Sequence, residues 1–476
     1  MKRNGLISLL ALIALASLCW GWWENSRRRK LESAVEFDRR RWALTENENE
    51  RLRGKVNERE ESEFEARQEA ARAEIEKTTA ELRGLTFKKP VEYATLKRKE
   101  VKEVLHEKIA EQYSDDDFEH LRLGYVAMGL VPEGFDLKQA YVDLLGEQVA
   151  AFYDQHKHRL YMFDDVALDN AQNRVILSHE LVHALQDQHF TLKNLPLELK
   201  TNDDRVIAAS SLVEGDATVT MNQFMLGEAS LKTLTDTVGG LLGQSFEQLA
   251  NAPRLLRETL LFPYTEGAKF CIALQETGGF AAIDAAYQRL PTSSAQILDP
   301  AKYFAGEEPI PVEWETVTLE GKQPISDNVL GELGTRILLS DWTDPEQVVA
   351  AKGWRGDRYL VFASGEKTGA AGLASVWRTV WRGVEESQRF TAAAKAMWAK
   401  RYGAKPVPPE GDLPTHRIGF EGSARALWLV VLPHEEVVLV DAPDPATAEA
   451  LIAAFARPSR PSAADVASQE EAVAVP

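Results

Sequence analysis

The spacing of hydrophobic and polar positions changes texture several times along this chain, and each change predicts an element. Gly5 to Trp23 carries no charge and is rich in Leu, Ala and Ile. From Leu31 to about Leu85 proline is absent and Glu, Arg, Gln and Ala dominate, which predicts one long helix ended by Pro90. Residues 91 to 145 show helical periods, Tyr93, Leu96, Val101, Val104, Leu105, Ile109 and Tyr113 and then Phe118, Leu121, Leu123, Val126 and Met128, so a helical lead-in is expected. Gln148 to Phe163 reads as two alternating runs around a polar turn, a hairpin whose His156 and His158 are expected to be solvated. Two apolar helices follow, at 175–190 and through Glu214, and the helical pattern resumes from 229 to 290.

Pro309 and Pro311 open a different texture. Strands are expected at Val312–Leu319, Arg358–Ala363 and Ala374–Arg382, with a hairpin of Ala424–Leu432 and Glu436–Val440. Helices are expected at Asn328–Leu339, Pro345–Ala351, Glu385–Tyr402 and Pro445–Phe455. The fold class is therefore α+β, a mostly helical domain followed by an antiparallel sheet with helices on one face. Trp354, Trp377 and Trp381 belong to the core of that second domain, and residues 457–476, rich in Pro, Ser, Ala and Glu, to a disordered tail.

The uncharged run at 5–23 would be about 28 Å long as a helix, close to the hydrocarbon thickness of a bilayer. Trp20, Trp22 and Trp23 at its end have the character of an interfacial belt, so a membrane anchor is expected. Ala14-Leu15-Ala16 as a cleavage site, or Cys19 as a lipidated residue, are the other readings. Arg27 to Lys30 would by themselves keep the downstream side cytoplasmic. Leu31, Val35, Trp42, Leu52 and Val56 fit a heptad seam with Asn49 within it, interrupted by Asp38, Thr45, Arg59 and Glu63. Pairing with a second copy and a solvated stalk both satisfy that pattern.

With 476 residues the chain has room for two or three domains, and its net charge of −18 excludes nucleic acid as a natural partner. Two cysteines, Cys19 and Cys271, exclude both a disulfide framework and C-x-x-C metal sites.

The chemistry concentrates in His179-Glu-Leu-Val-His183. On a helix, His179 and His183 leave one face a turn apart, close enough to share a zinc ion, and Glu180 stands beside them to take a proton from water. Val175, Ile176, Leu177, Leu181, Val182 and Leu185 cover most other faces, so two unpartnered imidazoles there would be costly without a metal. The alternative is a pair of satisfied core histidines. A catalytic zinc needs a third protein ligand. His189 has the right separation for a chain that turns at a glycine, but Gln186 stands at that position, so His189 is expected at the helix end. Glu214, an acid within the small and apolar run Ala208 to Val219, is the second candidate.

His179 to Asp187, HELVHALQD, resembles the active-site helix of thermolysin-like gluzincins, with Glu214 as the matching third ligand. Together with Val213–Thr218, Phe262–Phe270 and Gly353–Tyr359, it resembles more closely a poorly characterised family of bacterial zinc-metallopeptidase-like proteins, from about Gln148 to the 380s. The resemblance implies a peptidase site, which the changes of texture place in a domain over 90–309, after an anchor (1–23) and stalk (24–89) and before a C-terminal domain at 310–456. It also implies a peptide or protein substrate and an extracytoplasmic location. Thr218 departs from the pattern, which has an acid there to orient a ligand histidine; Asp216 or Asp187 would have to serve. Pro263 and Gly267 are expected to break their helix and present Tyr264 to the site, where its hydroxyl would stabilise an oxyanion. A strand of the 148–163 hairpin would hold an extended substrate by edge pairing and wall the cleft. The rival reading is a non-catalytic envelope scaffold with a structural or vestigial zinc site.

Overall fold

The computed structural model describes residues 3–146, 151–228, 251–314, 318–365, 369–408 and 416–457. Helix α1 runs from Arg3 to Arg83. Residues 1–73 make one compact unit and 74–476 the other. The expected anchor falls in residues 1–24, whose side chains lie outside the described ones; among the described residues no helix is long and apolar enough to cross a membrane. Leu31, Val35, Trp42, Leu52 and Val56 are each more than half exposed on α1. The helix stops earlier than Pro90, because Gly84 adopts φ +74° and its N–H caps the Ala80 carbonyl at 3.0 Å.

After the end of α1, the second unit continues with β1 (Glu92–Leu96), where a helix was expected. Tyr93 and Leu96 are as compatible with a strand, and β1 pairs in parallel with a strand more than sixty residues later, which no local period reveals. Helices α2 (Val101–Gln112), α3 (Asp115–Met128) and α4 (Leu137–Gly146) follow. Strands β2 (Ala151–Asp154) and β3 (Arg159–Phe163) form the expected hairpin and complete a sheet of order β1-β3-β2. Then come α5 (Ala171–Phe190), α6 (Asp203–Glu228) and α7 (Arg254–Gly278). Of the helical pattern expected over 229–290, residues 229–250 lie outside the described residues.

The C-terminal part is a seven-stranded antiparallel sheet of order β4-β5-β6-β10-β9-β8-β7. Its strands are β4 (Gln323–Asn328), β5 (Trp354–Ala363), β6 (Ala374–Trp381), β7 (Lys405–Pro406), β8 (His416–Glu421), β9 (Ala426–Leu432) and β10 (Glu436–Ala442). Of the strand expected at Val312–Leu319, residues 315–317 lie outside the described ones, Val312 is in no strand, and Trp314 packs edge-on to Phe455 from a coil; the strand that pairs with β5 is β4. Helices are found at α8 (Gly331–Trp342), α9 (Val384–Tyr402) and α10 (Pro445–Phe455).

These helices cover both faces of the sheet, not one. Tyr359, Val361, Val437 and Leu439 face a core shared with α8 and α9, while Leu360, Phe362, Val438 and Val440 face Leu451, Ile452 and Phe455 of α10. Every residue of β6 and β10 is buried as a result. The first of these cores extends from Phe118 through α6 and α7 to Leu439, so helices on both sides of residue 310 share it. Trp354 and Trp377 are core residues that both donate to the buried Asp357, which also accepts the Leu330 and Gly331 N–H groups that open α8. The protein is thus α+β, with the helical layer holding the candidate chemistry.

Candidate metal centre

Helix α5 is started by Asn170, whose side chain accepts from the Gln172 N–H at 2.8 Å, and it ends at Thr191 in the left-handed region. Val175, Leu177, Leu181, Val182 and Leu185 bury its apolar side. His179 and His183 emerge on the remaining face, their ring centroids 4.7 Å apart, with Glu180 beside them. Helix α6 packs across α5 and delivers Glu214. His179 Nε2 and His183 Nε2 lie 3.1 Å apart, and Glu214 Oε2 is 3.1 Å from the first and 3.5 Å from the second.

This triangle can be tested against a metal. Zinc bonds of 2.0–2.1 Å at tetrahedral angles require ligand atoms about 3.3 Å apart, which is the size observed. Two nitrogens and one carboxylate oxygen are also a common donor set for catalytic zinc. Electrostatics agree. Burial works against a charged His183, yet the facing Glu214 carboxylate carries its pKa up to about 10. Burial likewise opposes an ionised Glu214, but the two histidines hold it well below the usual carboxylate range. The protein has built a place for positive charge.

Glu180 is held above its ordinary carboxyl pKa by burial, partly opposed by the histidines and by the Tyr153 N–H, which donates to its Oε2 at 2.8 Å. Tyr153 lies on β2, the edge strand of its sheet, so the hairpin walls the site as expected. Together with Tyr264 these residues line a cleft of about 550 Å³. Tyr264 stacks over His179 at 6.0 Å. The residue is 45% exposed, and the Glu214 charge, with burial, raises its phenol well above its ordinary pKa.

Tyr264 reaches this position without a helix break. Pro263 lies inside α7, where it forgoes one backbone hydrogen bond, and Gly267 serves packing. A Cβ on Gly267 would stand 2.3 Å from the Ser211 carbonyl oxygen, and one on Gly215 2.2 Å from that of Gly267. The glycines of the two motifs therefore meet, and their contact brings α6 and α7 close enough to set Tyr264 beside Glu214.

His189 ends α5 and contacts the Thr86 carbonyl at 2.8 Å, away from the site. The turn histidines are not simply solvated: His156 meets Glu198 at 2.7 Å and His158 meets Asp187 at 2.6 Å. Asp187 also accepts from the Tyr153 hydroxyl at 2.7 Å, so it pins the hairpin and does not support a ligand histidine. Asp216 acts one residue removed. It accepts from Gln186, whose amide oxygen lies 2.9 Å from His183 Nδ1. Gln186 drew notice in the sequence only as the residue in place of a turn glycine, and spacing alone carries no sign that its side chain reaches back to His183 and across to Asp216. A second cleft of about 570 Å³ lies across the 197–201 segment, with Asp117 paired to Lys200 and Asp327 to Arg358.

Residues 318–452 match a family model described as a domain of unknown function (DUF8575). The match covers the sheet and contains none of the residues of the metal-centre candidate. No curated protein and no solved structure matches the chain.

Proposed function

We propose that this protein is a zinc-dependent peptidase of the gluzincin type, with His179, His183 and Glu214 as ligands and Glu180 as general base. The observation that carries the reading is the triangle of ligand atoms, formed by side chains from two helices 31 to 35 residues apart in sequence and matched in size to a single small cation. A zinc ion held there supplies a water of lowered pKa and a polarised carbonyl. Glu180, raised by burial, would be the residue that takes a proton from the attacking water and returns it to the leaving amine. Tyr264, its hydroxyl kept protonated beside Glu214, is a donor for the oxygen that gains charge. The edge of β2 offers an extended peptide a partner along the cleft. The same reading places the chain at a membrane through residues 5–23, with the site on the extracytoplasmic side.

The test is Glu180→Gln in the full chain, assayed for zinc content and for chelator-sensitive hydrolysis of a peptide library. Zinc should be retained at one equivalent while hydrolysis falls about 10²–10⁴-fold. Hydrolysis at the wild-type rate would refute the assignment.

A further inference from the structure

Behind the metal triangle runs a buried chain of polar contacts that ends on the long N-terminal helix. Gln186 is completely buried, and its Nε2 donates twice, to the Val213 carbonyl and to Asp216 Oδ2, each at 2.9 Å. Both of those partners are pure acceptors, so the amide cannot be turned over without setting oxygen against oxygen. Its Oε1 is thereby fixed towards His183 Nδ1 at 2.9 Å and must accept from it. A hydrogen on Nδ1 leaves the Nε2 lone pair free, and Nε2 is the atom that faces His179 and Glu214.

The orientation of Gln186 thus depends on Asp216 remaining where it is, as a carboxylate. Asp216 is 0% exposed, a costly place for a charge. Its Oδ2 also accepts from the Tyr287 hydroxyl at 3.1 Å, and its Oδ1 lies 2.6 Å from Nε of Arg83. Arg83 is itself 0% exposed. It is the last residue of α1, is held by Asp284 at 2.6 Å, and lies over the Phe280 ring at 4.7 Å.

We infer that Arg83 is a positioning residue for the metal centre: through Asp216 and Gln186 it fixes the His183 tautomer that presents Nε2 to a zinc ion. The inference rests on the zinc reading. It gives the end of the long helix a task beyond packing, since the relay is complete only when Arg83 is seated. Without Arg83 the Asp216 charge has no buried counter-ion and must turn to other donors or to water, which releases Gln186 and lets its amide present N–H to His183.

The test measures zinc dissociation constants by chelator competition, on the full chain, for wild type, Arg83→Met, Arg83→Lys and Asp216→Asn. Loss of an outer partner of a metal ligand typically weakens binding about 10–100-fold. Arg83→Met and Asp216→Asn should both fall in that range, and Arg83→Lys should recover most of the loss. Ile75→Ala is the control, since Ile75 is equally buried near the same helix end but has no polar link to the relay. It should lower the melting temperature and leave zinc affinity within about threefold, well short of the loss expected for a relay member. If Arg83→Met does not fold, Asp216→Asn, which keeps the side-chain volume, decides. Wild-type affinity in a folded Arg83→Met or in Asp216→Asn, or an equal loss in Ile75→Ala, overturns the inference while leaving the zinc site standing. A wild type that binds no zinc overturns both.

Discussion

Replacing Gly267 by alanine adds one methyl group at the crossing of α6 and α7. The new Cβ would stand 2.3 Å from the Ser211 carbonyl oxygen and 3.0 Å from Ser211 Cα, both backbone atoms that no rotamer change can move aside. Reaching ordinary contact requires the helices to part by about 1 Å, and overpacking of this kind costs about 1–3 kcal/mol. A backbone clash belongs at the upper end of that range. Alanine returns up to about 1 kcal/mol of helix propensity, so the net loss should be about 2 kcal/mol. Gly227, in the last turn of the facing helix α6, offers the contrast: a Cβ added there would meet nothing within 4 Å, and Gly227→Ala should be neutral or stabilising. The site should respond as well, because Glu214 adjoins Gly215 and Tyr264 lies one turn before Gly267. Urea denaturation of the two variants beside wild type, followed by circular dichroism, measures the difference. A Gly267→Ala midpoint equal to that of Gly227→Ala would refute the claim that this contact sets the helix spacing.

Two further outcomes follow from the site and the core. Glu214→Ala should lose bound zinc while His189→Ala keeps one equivalent, read by metal analysis after dialysis, because His189 contacts Thr86 and not the triangle. Burial pushes the Asp204 carboxyl up to about 7, opposed by hydrogen bonds from Ser294 and reinforced by Asp357 and Glu332. Its folded-state pKa lies above the unfolded value, so the native state binds the extra proton and stability declines as pH rises from about 4 to 7, levelling off above that. Asp204→Asn should flatten the decline, on the order of 2–4 kcal/mol, in denaturation midpoints taken across that interval; an unchanged slope would show that another group sets it.

The local periods along the chain determined much of this protein by themselves. Spacing at i and i+4 placed His179 and His183 on one helix face, since that relation depends only on the helical repeat. The apolar surroundings of Glu214 marked it as an acid in need of a cation, and the structure sets it against both histidines. The long helix, the hairpin at Ala151–Phe163 and α10 were legible for the same reason. What the sequence left undetermined depended on partners distant along the chain. Strand β1 exists because β3 lies beside it, and its own period is ambiguous. The second covered face of the sheet was hidden because α10 could be recognised as a helix but not assigned a side. Pro263 and Gly267 carried the usual signs of a helix break, yet tertiary packing turned the glycine into a point of close approach to α6. The relay from Arg83 to His183 was unreadable for the most general reason. Arg83 is one of many charges on α1, and only folding takes it out of water and sets it 2.6 Å from Asp216.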